Sequence, residues 1–500
     1  MLKPNNEAEE ILKKVYGESS AYWTKMRALN GLNTFHSSAK NVTAYGGFLK
    51  MTGISSSEIV VAHDLKTVPS VNKDNYLRAY PLEQLCRAGS LRSRSVVFTS
   101  TSGSTGAPFY FPREHAVDLR SSVYHEMFLR NARIDPDRAT LVIVCFGMGV
   151  WIGGIITYQA FKMISERGYR LAILTPGVNK KEIFEALKNV APNYEQIVIC
   201  GYPPFMKDIV DEAGSHGIDW KKLNMKIIFA AESFSEKFRE YIAERVGIKD
   251  LYRDMMNIYG SADLGTMAEE TPMCILIRRL ALENEALYKK LFKEAGRLPT
   301  LAQFHPAFVS FDEEDGRIYC TSDNVLPLVK YAIGDNGGVI GFDEVERIFS
   351  ESGMDLKHEV AKAGLADTLA KLPFVYVYER SDLSVKLYGA IVYPEHVKAG
   401  LQDRSFSARI TGKFAMSVRF DGNQDEYLEV NIELSPGENG SELMAVEIAT
   451  SVLRSLTEKS AEYKNNADVF AGRVRPRIVF WPHGDPTHFK AGAKQKWVVK

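Results

Sequence analysis

Short apolar runs alternate with helical patterns through the first two-thirds of the chain, and this alternation constrains its fold most tightly. The runs are Ser95–Thr99, Leu141–Phe146, Arg170–Leu174, Gln196–Cys200 and Lys226–Ala231. The stretches between them carry helix punctuation. Asn179 can cap a helix, with Glu182 three residues on and Pro192 at its end. Ser233 and Glu236 predict a capping box for a helix that stops at Gly247. Strands joined by helical crossovers run parallel and are covered on both faces. The expected class is α/β: a large N-terminal domain of mostly parallel sheet covered by helices.

One stretch competes with that reading. Ala139 to Phe161 carries no charge and is long enough to span a bilayer. Glycines 147, 149, 153 and 154 interrupt it, and Gly147 and Gly149 suit a sharp turn better than a helix interior. The expectation is a buried strand, a glycine turn and a helix from about Gly153, with no membrane span.

Composition sets the domain count. At 500 residues and 45% hydrophobic, the chain exceeds the roughly 250–300 residues at which one core stops growing. Past Pro373 the texture changes to strands at Phe374–Tyr378, Lys386–Val392, Glu426–Leu434 and Arg477–Trp481, with one long helix from Ser441 to about Tyr463. This predicts a small α+β domain over 379–500 beside a large one over 1–378. Leu282–Ala295, within 282–300, and Asp343–Leu372 look like helical insertions. The 62 basic and 62 acidic residues cancel, so no long-range field favours nucleic acid or an anionic membrane. Cys86, Cys145, Cys200, Cys274 and Cys320 are scattered, with no zinc-ligand spacing, and suit a reducing cytoplasm. The first residues lack an apolar signal core and predict an amphipathic helix.

The chemistry is concentrated in Thr99–Pro108, TSTSGSTGAP. Glycines let a backbone approach an anion closely, and hydroxyls and amides bond phosphate oxygens. No lysine follows Gly106, so this is not a Walker loop; a plain flexible Ser/Gly loop is the competing reading.

That loop resembles the phosphate-binding loop of the adenylate-forming superfamily of acyl-CoA ligases, luciferases and peptide-synthetase adenylation domains. The phenylacetate–CoA ligase branch, which also lacks a lysine after the proline, is the most similar. Five more segments follow in that family's order: Phe146–Gly154, Phe229–Arg239, Asn257–Gly265, Leu326–Gly337 and Tyr378–Val397. The resemblance implies ATP and Mg²⁺ in a reaction that makes an acyl-adenylate and releases pyrophosphate. A thiol then takes the acyl group, either coenzyme A or an acyl carrier protein.

It also implies roles for named residues. Ser102, Gly103, Ser104, Thr105 and Gly106 would hold phosphates, Thr105 being one catalytic candidate. Ala231, Glu232, Asn257, Ile258, Tyr259, Gly260 and Ser261 would border the nucleotide, with Tyr259 stacked on adenine. Asp263 would ligate Mg²⁺, Asp335 would accept the ribose hydroxyls, and Arg380 would contact ribose or phosphate. Asp382 would mark the hinge of a mobile C-terminal domain. Lys494 would reach the carboxylate and α-phosphate, with Lys490 and Lys496 as rivals. Phe146, Gly147, Trp151, Gly154 and Tyr158 would line the pocket of an aryl or medium apolar acid, although Phe146, Trp151 and Tyr158 would look the same as ordinary core. Two departures stand out: Ala262 replaces a hydroxyl residue and Asp263 replaces a glutamate. They keep open a non-catalytic nucleotide-binding relative. A nicotinamide-dependent reading of Gly147–Gly153 fails, because the third glycine falls one residue late and no acid ends the next strand.

Overall fold

The computed structural model describes residues 6–89, 91–92, 94–101, 108–292, 298–380, 384–401, 405–406, 408–485, 487–489 and 498. The chain falls into two compact units. The first comprises Met1–Thr99, Tyr110–Gly201 and Ile209–Glu379; the second comprises Ser100–Phe109, Tyr202–Asp208 and Arg380–Lys500.

The first unit is built on an eleven-stranded sheet. Its parallel half runs Leu171–Leu174, Thr140–Cys145, Gln196–Gly201, Met225–Ala230, Met255–Ser261, in that spatial order. Thr140–Cys145 and Gln196–Gly201 are buried at every position, as unbroken apolar runs in a parallel sheet should be. Beyond Met255–Ser261 the sheet continues antiparallel through Gly265–Glu269 and Thr300–Gln303 to Phe374–Arg380. It ends with Leu328–Ile340, Arg317–Ser322 and Ser310–Glu314. The fold class is α/β, as expected, with the alternating half parallel and the remainder antiparallel.

The uncharged stretch folds as a strand, a turn at Gly149 (φ 82°) and the helix Ile152–Ser165. Among the described residues no helix is long and apolar enough to cross a membrane. Asn179 does cap its helix, its side chain accepting from Glu182 N. The capping box at Ser233 does not form. The helix Glu236–Val246 is capped by Ser235, which accepts from Phe238 N, and Gly247 ends it at φ 82°.

Phe374–Arg380, where the texture of the sequence changes, pairs with Thr300–Gln303 and so belongs to the large sheet. Two expectations about the later chain change. Leu282–Ala295 is not one helix: Pro272–Glu283 ends at Asn284, whose side chain starts a second helix, Glu285–Leu291. The long C-terminal helix also divides, into Glu442–Lys459 and Ala461–Phe470, where Ser460 caps the second. In each helix case an Asn or Ser offers a side-chain acceptor to the next turn and makes a break stable. The two insertions share one hydrophobic core. Leu287, Leu291 and Phe292 of the first meet Phe342, Val345, Phe349 and Leu356 of the second over Leu301, Phe374 and Tyr376.

The second unit has a three-stranded sheet. Glu426–Leu434 lies between antiparallel Ile410–Phe420 and parallel Arg477–Trp481. Helices Pro394–Leu401 and Glu442–Lys459 pack so closely that a Cβ on Gly400 would lie 2.6 Å from Val452 Cα.

The tightest backbone approach in the first unit is at Gly337. A Cβ there would lie 1.9 Å from Tyr376 O in the neighbouring strand, and a rigid carbonyl has nowhere to go. Gly337→Ala is expected to destabilise the protein by about 3 kcal/mol, at the upper end for overpacking. Urea unfolding of the full chain checks this; an unchanged midpoint would contradict the packing described.

Candidate functional site

The hairpin of Met255–Ser261 and Gly265–Glu269 brings the site together. Gly260 is required by close approach, since a Cβ would lie 2.7 Å from Gly265 O, and Gly265 sits at φ 84°. The turn between the strands is tied by Ser261 Oγ, which accepts from Leu264 N at 3.2 Å, and Asp263 lies within it.

Two acid–tyrosine pairs join this hairpin to the strand Leu328–Ile340. The Tyr259 hydroxyl donates to Asp335 Oδ2 at 2.6 Å, and one face of its ring lies against Phe311, with centroids 6.0 Å apart. The Tyr331 hydroxyl donates to Asp263 Oδ2 at 2.6 Å. Asp263 also has an ion-pair partner, Lys73 Nζ, at 3.6 Å. Segments separated in sequence by 76 and 68 positions thus meet through charged hydrogen bonds, which are stronger than neutral ones.

On the same strand as Tyr259, Asn257 is buried, and its Nδ2 donates to Glu232 O at 3.0 Å. Its Oδ1 is buried and, among the described residues, takes no hydrogen bond. A buried acceptor without a donor is costly, so this atom is suited to an incoming N–H group. Ile258 is buried beside it. Ala231 sits at φ 76°, strained for a residue with a Cβ, and begins the loop that carries buried Glu232.

A buried network of alternating charges holds that loop. Arg239 donates to Glu236 Oε2 at 2.9 Å and to Glu270 Oε2 at 2.7 Å. Arg278 donates to Glu270 Oε1 at 2.6 Å and, through Nη2, to Phe234 O at 2.9 Å. Burial works to raise the Glu236 carboxyl, but Arg239 and Arg278 together hold it below the ordinary carboxylate value. Glu270 N donates to Asn257 O, linking the network to the hairpin.

The expected acyl-pocket residues occupy different environments. Phe146 is buried in the core, and Gly154 lets the helix Ile152–Ser165 start against Gly147, where a Cβ would lie 2.5 Å from Gly147 O. Trp151 stands at that helix's N-cap, and Tyr158 is 38% exposed along it. The three aromatic side chains therefore do not form one buried wall.

Several expected residues lie outside the described ones: Ser102, Gly103, Ser104, Thr105 and Gly106 of the loop, Asp382, and Lys490, Lys494 and Lys496; so does the side chain of Arg380. Their flanks are described. Thr101 and Phe109 close the base of the loop, with Thr101 N donating to Phe109 O at 3.1 Å. Phe489 and Val498, on either side of the lysine segment, are buried, and Val498 bridges to Met416. Upstream, Glu433 fixes the turn into that segment. It accepts from Gly484 N at 2.9 Å and from Thr411 Oγ1 at 2.7 Å.

No known family's sequence profile matches the chain, and neither does any curated protein. Solved structures do. A 2-hydroxyisobutyryl-CoA ligase with 2-HIB-AMP and CoA, in its thioesterification state, aligns over 100% of this chain and 94% of its own, with a TM-score of 0.63 at 14% identity. The chain shares the fold of this CoA ligase. The same ligase in its postadenylation state with R3-HIB-AMP gives a TM-score of 0.55 at 14% identity, over 98% of this chain and 91% of that one.

Sequence reasoning missed Lys73, Phe311, Tyr331 and the Glu236–Arg239–Glu270–Arg278 network. Tyr331 stood inside a quoted segment, but nothing in its spacing gave it Asp263 as a partner. Lys73 belongs to no motif, and only the register of the chain places it. Arg278→Met would leave Glu270 and the Phe234 carbonyl short of a buried donor. It is expected to destabilise the chain by ~3–5 kcal/mol, the range for breaking a buried ion pair. Chemical unfolding followed by intrinsic fluorescence measures this; a loss under ~1 kcal/mol would show the network to be dispensable.

Proposed function

We propose that this chain uses ATP to activate a carboxylic acid as its acyl-adenylate, releases pyrophosphate, and passes the acyl group to a thiol, with coenzyme A the first candidate. By its motifs the chain resembles the phenylacetate–CoA ligase branch. The observation that carries this reading is the Tyr259–Asp335 hydrogen bond. It joins two separately recognised motifs at one place, with the unpartnered Asn257 Oδ1 on the same strand as Tyr259. The CoA and 2-HIB-AMP bound to the structural neighbour favour coenzyme A over a carrier protein.

Each residue has work suited to its chemistry. Asn257 Oδ1 would accept from an adenine amino group, which supplies the donor it lacks. Asp335 would turn from Tyr259 to the ribose hydroxyls, or take them on its other oxygen. Asp263 fits a magnesium ion: it is a hard oxygen ligand, and among the described residues its Oδ1 takes no hydrogen bond. When bound, that ion would neutralise phosphate charge. The chain's own task is positioning: the carboxylate must lie in line with the α-phosphorus, and water must be kept from the anhydride.

ATP–pyrophosphate exchange with a panel of aryl, branched and hydroxy acids tests the reading. Acid-dependent exchange is expected. Protein that binds ATP but exchanges with no acid would instead favour the non-catalytic relative, to which Ala262 and the shortened Asp263 point.

The lysine segment gives a second test. Lys494→Ala is expected to slow adenylation ~10²-fold or more while sparing thioester formation from a supplied acyl-adenylate, because a cation opposite developing phosphate charge acts mainly in the transition state. Lys490→Ala and Lys496→Ala are the comparison. Single-turnover rates that stay at wild type for all three would remove this segment from the mechanism.

A further inference from the structure

Asp263 is the carboxylate that the reading above gives to the metal, and the fold already supplies it with a cation. Lys73 Nζ lies 3.6 Å from Oδ2, with the Asp263 side chain 5% exposed and that of Lys73 31%. The Tyr331 hydroxyl bonds the same oxygen. This is not a chance meeting of two surface side chains. Val71 N donates to Lys330 O at 3.2 Å and Ala332 N donates to Val71 O at 2.8 Å, so the backbone just before Lys73 is stitched to the strand that carries Tyr331. Immediately after Val71, Asn72 caps the short turn Lys73–Leu77 by accepting from Asp74 N and Asn75 N. The Lys73 backbone is thus fixed on both sides, while its four-carbon stem stays free to move.

The electrostatic balance around this pair is specific. Asp312 is matched by Arg27 at 2.8 Å. Asp335 is met by a neutral hydroxyl, and among the described residues no cation lies within ion-pair distance of it. With Lys73 in place, Asp263 presents almost no net charge to an approaching ion, and because the carboxylate itself is only 5% exposed, water screens the pair less than it would on an open surface. One uncompensated carboxylate, Asp335, is too little for a magnesium ion, which binds through one or two carboxylates together with substrate phosphates.

We propose that Lys73 is the resident counter-ion of Asp263 and makes metal capture depend on nucleotide: a free divalent ion is repelled, whereas an ion delivered on ATP is accepted. The phosphate oxygens give Lys73 a second anion to turn toward, which releases Asp263 to the metal. Tyr331 meanwhile keeps the carboxylate oriented, as an outer partner of a ligand does. Lysine suits this exchange, being a compact charge on a flexible stem. This inference rests on the acyl-adenylation reading for the identity of the ligands.

The test uses the full-length chain and Mn²⁺ as the probe. Binding of Mn²⁺ alone is read from the free-ion EPR signal, and binding of Mn²⁺–ATP by equilibrium dialysis. Wild type is expected to take up Mn²⁺–ATP while binding Mn²⁺ alone weakly. Lys73→Met should bind Mn²⁺ alone at least ~10-fold more tightly, since a single nearby charge is removed from a poorly screened site. Lys73→Arg should behave as wild type, and adding Asp263→Asn to Lys73→Met should abolish the gain. Lys73→Gln is the second neutral variant, should the methionine not fold. If neither neutral variant tightens Mn²⁺ binding, or if wild type binds Mn²⁺ alone as well as with ATP, the counter-ion role is wrong. If wild type fails to bind Mn²⁺–ATP at all, the functional reading fails instead, and a tighter Mn²⁺ site in Lys73→Met would still uphold the pairing.

Discussion

The candidate site depends on the backbone stitch between Val71 and the strand Leu328–Ile340. Two hydrogen bonds, Val71 N to Lys330 O and Ala332 N to Val71 O, lock an N-terminal segment onto this strand. One turn of chain then delivers Lys73, and the strand itself delivers Tyr331 and, four residues on, Asp335. Between Tyr331 and Asp335 the pairing with Arg317–Ser322 shifts register and Gly334 takes φ 92°, so simple alternation does not set where the two side chains fall. The hairpin Met255–Ser261 and Gly265–Glu269 answers them with Asp263 and Tyr259. The pairing is reciprocal, with each element offering one tyrosine donor and one carboxylate acceptor.

This reciprocity has an energetic consequence. Both carboxylates are held by hydroxyls before any ligand arrives, so their rotamers are set in advance and less entropy is lost on binding. Among the described residues Asp263 also has a cation beside it, and that partner sits on a flexible stem. Behind the hairpin, the network of Glu236, Arg239, Glu270 and Arg278 does the opposite. It is deeply buried and alternates in sign. Its Arg278 holds the Phe234 carbonyl, and so stiffens the loop that begins at strained Ala231. The site thus combines a rigid rear wall with a front in which one side chain can exchange partners.

The fold shared with the 2-hydroxyisobutyryl-CoA ligase tolerates very different sequences, at 14% identity over nearly the whole of both chains. The reason lies in what the fold asks of each position. The parallel half needs only unbroken apolar strands and capped helices, which many residues supply. The demanding positions are few and local: Gly260 beside Gly265, Gly154 beside Gly147, and Gly337 beneath the Tyr376 carbonyl. Two of the three, Gly260 and Gly337, sit within three residues of a candidate site acid, Asp263 and Asp335.

The alternating half of the sheet was legible from the sequence because its signals are local. A buried parallel strand must be apolar at every position, and Asn179 or Gly247 marks a helix end within one turn. The glycine turn at Gly149 was legible for the same reason, as were the segments around Tyr259 and Asp335. Local signals also misled where two acceptors competed, as at Ser233 and Ser235, and where Asn284 and Ser460 split helices that periodicity alone would continue. The tertiary structure decided everything that rests on pairing over long separation. It placed Phe374–Arg380 in the large sheet, joined the two insertions in one core, and set Lys73 against Asp263. Lys73 lies in a short turn with no apolar period, and its role depends on the register of a two-bond bridge. No residue near it in sequence encodes that register; it arises from the packing of the strand Leu328–Ile340 as a whole.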